Sequence, residues 1–391
     1  MSIGGEFMQV KQIHELVNNV TSEITGKENI LNEDLSNLVD VGNEIIGTDN
    51  VDNYVKKLVD RIGKTEFKND AYRGNAKNVL MDSREYGSIL QKVHATMPKA
   101  YENDTWKLVN GESYDPNIFY QPEVESKFFN NKVTFEIPVS FAEKQVKESF
   151  VNANELNGFL SMITTSVQNS LTIKLDSLIM RTINNFSGSV LNKKNPNTSV
   201  NLLKMYNDST GETLTADKAL MDSKFLRYSN FIINTYTDRL TKISKLFNIG
   251  GKDRFTPIEN QYLIMLSDFV QCSNVYLQAD VKHNEFTKLT NFDTVPYWQG
   301  SGQNYKFDDI SSINIKANTG NKTPTDVTQN GIIGVLFDRN ALGVTNLNKR
   351  VTTNYNPKAE FYTNFYKSDA GYFNDFNENF IVFYIADEVG A

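Results

Sequence analysis

The sequence predicts an α+β chain organised around one very long helix. Three observations carry that reading. Leu156, Phe159, Ile163, Val167, Leu171, Leu175, Leu178, Ile179, Ile183 and Phe186 hold one helical face without a break. Ahead of them, from about Arg84 to Ala142, the apolar period is two. Behind them, short apolar runs alternate with helical patterns, and the tail from Val351 to Asp387 returns to strands.

Residues 1–75 read as an N-terminal arm of small helices in a polar chain. Val10, Ile13, Leu16, Val17, Val20 and Ile24 share a helical face. A second helix is expected around Leu35–Ile46, and a third over Val51, Val55, Leu58, Val59 and Ile62, closed by Gly63. Residues 76–150 form the β-rich stretch. Its strands are Trp106–Val109, Ile118–Tyr120, Val124–Phe129 and Val133–Val139, with Asn130-Asn131 placed to turn a hairpin between the last two. Pro98, Pro116, Pro122 and Pro138 lack an amide donor and must sit at edges, ends or bulges. The aromatics Trp106, Phe119, Tyr120, Phe128 and Phe129, with Phe135, either fill a local core or pack on another chain. A thin arm cannot bury both of its faces by itself.

The long helix should run over about 154–187. Asn152 and Glu155 have capping-box spacing at its start, and Gly188 stands at its end. Such a helix is about 50 Å long, and its apolar stripe (Ile163, Val167, Leu171, Leu175 and Leu178 at its centre) demands an equally long partner. Beyond it, Thr215–Phe231 and Arg239–Phe247 read as helices, the second stopped by Gly250-Gly251. Tyr262–Leu266 and Gly331–Asp338 read as fully buried strands, and Asp338 as the cap of a short helix near Ala341. Asn274–Phe286 is mixed and Trp298–Phe307 is loop-like. The last strands are Val351–Tyr355, Glu360–Tyr366 and Phe380–Ile385.

Composition narrows the function. One cysteine in 391 residues excludes a disulfide framework or thiolate cluster, and three scattered histidines speak against a zinc site or triad. A net charge of −7 disfavours a dedicated nucleic-acid binder. There is no run of about 18 apolar residues and no basic-then-apolar leader. Phosphate-loop, dinucleotide and His-Glu-x-x-His patterns are absent. Ser301 reads as a loop residue, Cys272 as a buried structural thiol after a strand, and Asp308-Asp309 as solvated turn carboxylates. No catalytic, cofactor or metal residue is expected.

Val133–Phe141 leading into Asn152–Phe186, Gly331–Val344 as a late strand plus short helix, and Val351–Ile385 closing on Asn379–Tyr384 follow an order that resembles the Hong Kong 97-type major capsid protein of tailed bacteriophages. Leu58–Gly63 is similar to short-tailed phages with small genomes infecting low-GC bacteria. The resemblance implies an extended β-loop over 76–150. It implies a peripheral domain of 151–200 plus 345–391, holding the spine helix and the C-terminal strands, and an axial domain over 201–344. It implies a shell subunit that self-assembles into hexamers and pentamers of an icosahedral head around double-stranded DNA, held without sequence specificity. The partners implied are a scaffolding protein in trans and a portal, with no membrane. Assembly would occur in the host bacterial cytoplasm and the finished protein would reside in the virion. Some family members add a Lys–Asn crosslink helped by a Glu; those residue types are so abundant here that the pattern singles out no position, and that chemistry is not carried over. Two rivals share parts of the pattern: an encapsulin-type nanocompartment, which normally lacks a long helical arm, and a carbohydrate-active enzyme, which leaves the long helix unexplained.

Overall fold

The computed structural model describes residues 153–278, 291–299, 307–317 and 324–387, together with 18–22, 79–81, 90–95, 121, 123–142 and scattered positions between 32 and 117. In chain order the elements are β1 (Leu80–Met81), β2 (Leu90–Ala95), β3 (Val124–Phe129), β4 (Lys132–Ala142), α1 (Ala153–Lys193), β5 (Ser199–Asn201), α2 (Leu202–Thr210), α3 (Ala216–Ala219), α4 (Ser223–Leu240), β6 (Gln261–Leu266) and α5 (Ser267–Gln278). They continue with β7 (Asn291–Val295), α6 (Phe307–Ile310), β8 (Ile313–Ala317), β9 (Thr325–Gln329), β10 (Ile332–Asp338), β11 (Leu342–Asn356), β12 (Phe361–Asn374) and β13 (Phe380–Tyr384).

Among the described residues the strands make a four-stranded sheet, β1-β11-β12-β4, and a five-stranded sheet, β5-β13-β10-β6-β7. Two ribbons, β2-β3 and β8-β9, stand apart from them. The five-stranded sheet is covered on both faces, which is why its strands read as unbroken apolar runs. Tyr262, Ile264, Leu266, Val335, Phe337, Phe380 and Val382 pack with Leu178, Ile183, Phe186 and Val190 of α1. Their neighbours Leu263, Met265, Leu336, Ile381 and Phe383 point the other way, onto Phe225, Ile233, Tyr236 and Phe269 of α4 and α5.

The spine α1 has 41 residues and joins the two sheets. Its Val167 and Leu171 pack on Tyr366, Ile137, Val139 and Val351 of the four-stranded sheet, while Leu175 and Leu178 enter the main core. The helix passes the expected stop at Gly188. That glycine serves packing, because a β-carbon there would overlap Ile315 of β8. The helix ends instead at Lys194, whose φ of 50° is the left-handed turn of a C-terminal cap, two residues before Pro196. Asn152 of the expected capping box and the side chains of Glu155 and Ile163 lie outside what the structure describes, as does the arm apart from 18–22 and Asn32. Within 18–22 the chain is helical, and Val20 and Thr21 are buried.

Several expectations are corrected. Asn130-Asn131 turns no hairpin: β3 pairs with β2, and β4 pairs with β12 along its length. Neither asparagine has a positive φ, so the chain passes between the two without folding β4 back on β3. β4 is an edge strand, the position in a sheet where Pro138 is tolerated. The helix expected over Thr215–Phe231 is split, because Asp222 accepts a bond from the Phe225 amide at 2.8 Å and starts α4 afresh. Since α4 runs on to Leu240, the helix expected over Arg239–Phe247 does not form. Turns and a Ser244–Arg254 bridge take its place. Cys272 lies within α5, half-buried, and burial together with Asp268 pushes its thiol up. Asp308 and Asp309 are exposed, in the short helix α6.

Asp338 caps no helix. It accepts from the Asn340 amide at 2.8 Å in a tight turn that feeds straight into β11. The C-terminal strands do not stay together either. After Asn374 the chain leaves the four-stranded sheet, and β13 inserts between β10 and β5 of the other.

Candidate assembly interface

The ribbon β2-β3 is a sheet of its own, and strand alternation gives it two unlike faces. Its register pairs Leu90 with Phe129, Lys92 with Lys127 and His94 with Glu125 on one face. The opposite face carries Gln91, Phe128, Val93, Ser126, Ala95 and Val124. On this outer face Val93, Val124 and Phe128 are 58, 60 and 64 % exposed. These are three apolar side chains left open to water on one face of a two-stranded ribbon, which makes that face the candidate contact surface.

The inner face is polar and docked. Phe129 meets Phe373 of β12 at 5.2 Å between ring centroids. The Lys92 ammonium lies 4.5 Å over the same Phe373 ring. It donates to the Asn340 carbonyl and to Asp375 Oδ2 at 3.5 Å. Lys127 donates to Asp375 Oδ1 at 3.0 Å. Further along, His94 Nε2 is 3.2 Å from Glu378 Oε1, and Arg254 Nε is 3.6 Å from Glu378 Oε2. At the rim, exposed Lys252 pairs with Glu125.

Burial and charge set the titration of this cluster. Burial raises the Asp375 carboxyl, but the Lys92 and Lys127 ammoniums outweigh it and hold the group below its ordinary value of 3.8. Glu378 goes the other way: burial, reinforced by nearby Asp338, raises it above 4.5. Burial and the Arg254 guanidinium lower His94 from 6.5, so its imidazole is neutral at pH 7. Ligand atoms of His94, Asp375 and Glu378 lie within 4.8 Å of one another, a spacing a cation accepts. Here both oxygens of Asp375 already face lysines and Glu378 faces Arg254, so side chains supply the countercharge.

Of the aromatics expected at an inter-subunit contact, Phe128 lies on the open outer face and Phe129 on the docked inner face. Trp106, Phe119 and Tyr120 lie outside the described residues. Sequence reasoning missed Lys92, His94, Lys127, Asp375 and Glu378. Nothing in the run Leu90–Ala95 announces a strand whose charged residues face inward. Their partners sit more than 240 residues later, in a turn the sequence leaves featureless.

Among the described residues no helix is long and apolar enough to cross a membrane. Residues 13–384 match the model of the Phi29-like phage major capsid protein family. A curated relative, the major capsid protein of Bacillus phage GA-1, is 22 % identical over 294 residues. The match covers 72 % of this chain and 54 % of the relative, so the chain spans about half the relative's length. Among solved structures, the capsid of Staphylococcus phage Andhra aligns with a TM-score of 0.47 at 9 % identity, over 81 % of this chain and 86 % of that one. The capsid of Cyanophage P-SCSP1u aligns at 0.45 and 11 % identity, over 82 % and 90 %. With the family model spanning nearly the whole length, the chain belongs to the Phi29-like phage major capsid protein family.

Proposed function

We propose that this chain is the repeating subunit of an icosahedral phage head, built on a Hong Kong 97-type plan, and that ribbon β2-β3 clasps a neighbouring copy. The observation that carries the clasp is the two-faced ribbon: a docked inner side under an outer side bearing Val93, Val124 and Phe128. A rigid 41-residue spine tying two sheets together supports a plate-like subunit that tiles by its edges. Stability of the shell then comes from many interfaces, each adding modestly. Hexamers and pentamers of the chain enclose the genome, and a net charge of −7 keeps the lining from gripping the duplex. Scaffolding acts in trans, a portal occupies one vertex, and assembly takes place in the host cytoplasm. Family membership sets aside the nanocompartment and the carbohydrate-active enzyme.

The test is expression of the full chain beside Phe128→Asp, with electron microscopy of both. Closed shells or rings from the parent, and a folded but unassembled variant, are the expected results. Shells of normal shape from Phe128→Asp overturn the clasp.

A further inference from the structure

We infer that Asp375 is the positioning residue of the assembly ribbon, acting through Lys92 and Lys127 to fix its direction relative to both sheets. This rests on the clasp reading of β2-β3. Lys92 and Lys127 are direct cross-strand partners on one face of the ribbon. Like charges placed so repel, and weaken the very pairing they belong to. The Asp375 carboxylate reverses that effect, since its two oxygens take one lysine each, at 3.5 and 3.0 Å. The side chain of Asp375 is 0 % exposed, so bulk water supplies no substitute for it.

The place of the anchor matters as much as its charge. The chain crosses between the sheets twice in this region. From β10 to β11 it passes through Asp338–Ala341, and from β12 to β13 through Asp375–Asn379. The two turns are tied together where the Asp375 amide donates to the Ala341 carbonyl at 2.7 Å. Lys92 reaches both, through the Asn340 carbonyl and the Asp375 carboxylate. The ribbon is therefore seated on the junction between the sheets, and its direction follows their relative orientation. Lys252–Glu125 is exposed and screened by salt, which leaves the buried Asp375 carboxylate, bridging the partly buried Lys92 and Lys127, as the charged contact that holds both strands at once.

The experiment measures hydrogen exchange on the full chain for the parent, Asp375→Asn, Lys92→Met/Lys127→Met and the triple variant, with shell assembly imaged in parallel. Asp375→Asn should raise exchange of residues 90–95 and 124–129 about ten-fold, leaving β6 and β10 unchanged. In the lysine-free chain the same substitution should leave ribbon exchange unchanged or slow it, because it then removes a stranded carboxylate. A residue that merely shapes its own turn would speed exchange near 375–380 equally in both backgrounds, and that result overturns the inference. Should Asp375→Asn fail to fold, the double and triple variants still decide: faster ribbon exchange in the triple overturns it. If the ribbon loosens as expected yet shells close normally, the clasp reading fails while the anchor stands as a property of the subunit. Lost shells with an unchanged ribbon sink the anchor alone.

Discussion

Phe186 of α1 stacks on Phe380 of β13, with ring centroids 4.1 Å apart and planes 15° from parallel. The stack continues, since Phe380 lies 5.5 Å from Phe337 of β10 at 20°. Three aromatic rings thus tie the spine to the centre of the five-stranded sheet, all at 0 % exposure. Truncating Phe380 to Ala removes the middle ring and leaves a cavity the rigid helix cannot close. We expect a loss of about 3–5 kcal/mol in urea unfolding. A loss below about 1 kcal/mol is less than generic burial of a Phe side chain gives, and would take the ring out of the packed core.

How much of this was legible follows from where each signal resides. The spine was readable because its pattern is local: one stripe from Leu156 to Phe186, repeated every three or four residues. β6 and β10 were readable as unbroken apolar runs, since both their faces are covered. The partner of β4 was not. Val133–Val139 alternates equally well beside β3 or beside β12, and the choice depends on a strand more than 220 residues later. The charged seat of the ribbon was invisible for the same reason, as a lysine in sequence carries no mark of its carboxylate.

The spine makes its own prediction. Leu171 is 3 % exposed and packs with Val167 and Tyr366. Leu171→Asp would bury a carboxylate with no cationic partner in that apolar cluster, costing several kcal/mol, a large part of a domain's stability. Insoluble protein, or loss of the cooperative transition by circular dichroism, is expected. A fully folded variant would remove the spine from the core.

Gly331 tests the backbone. It sits between β9 and β10 with φ of 73°, and an added β-carbon would overlap the carbonyl oxygen of Ile385. The left-handed angle alone costs about 1–2 kcal/mol in a residue with a side chain. The overlap involves main chain, and the Ile385 amide is already bonded to the Gly331 carbonyl at 2.8 Å. Gly331→Ala should therefore lower the thermal midpoint far more than Gly211→Ala. Gly211 has the same φ of 73° and open space around it. Equal effects at the two sites would assign the whole cost to the angle.

Glu378 separates a buried charge that helps from one that does not. Its carboxyl is raised above 4.5, so folding favours the protonated form. That contribution is present below pH 4.5 and is lost as pH rises through the raised value. His94 is lowered from 6.5, so its contribution is present above 6.5 and is lost as pH falls through the lowered value. Above pH 4.5 the Glu378 contribution falls with rising pH, and below pH 6.5 the His94 contribution rises with it, so the two slopes have opposite signs. Glu378→Gln removes one of them and keeps the shape. The variant should match the parent near pH 4.5, hold or gain stability at pH 7, and rise more steeply with pH between them. A tenfold change in proton affinity on folding corresponds to about 1.4 kcal/mol, large enough to read from urea midpoints. Asp375→Asn, which leaves two lysines facing each other, should instead lose about 3–5 kcal/mol at pH 7. If Glu378→Gln loses as much as Asp375→Asn at pH 7, the Glu378 carboxylate is a stabilising partner of Arg254. Its titration would then lie below the ordinary glutamate value, and the burial argument for Glu378 would fail.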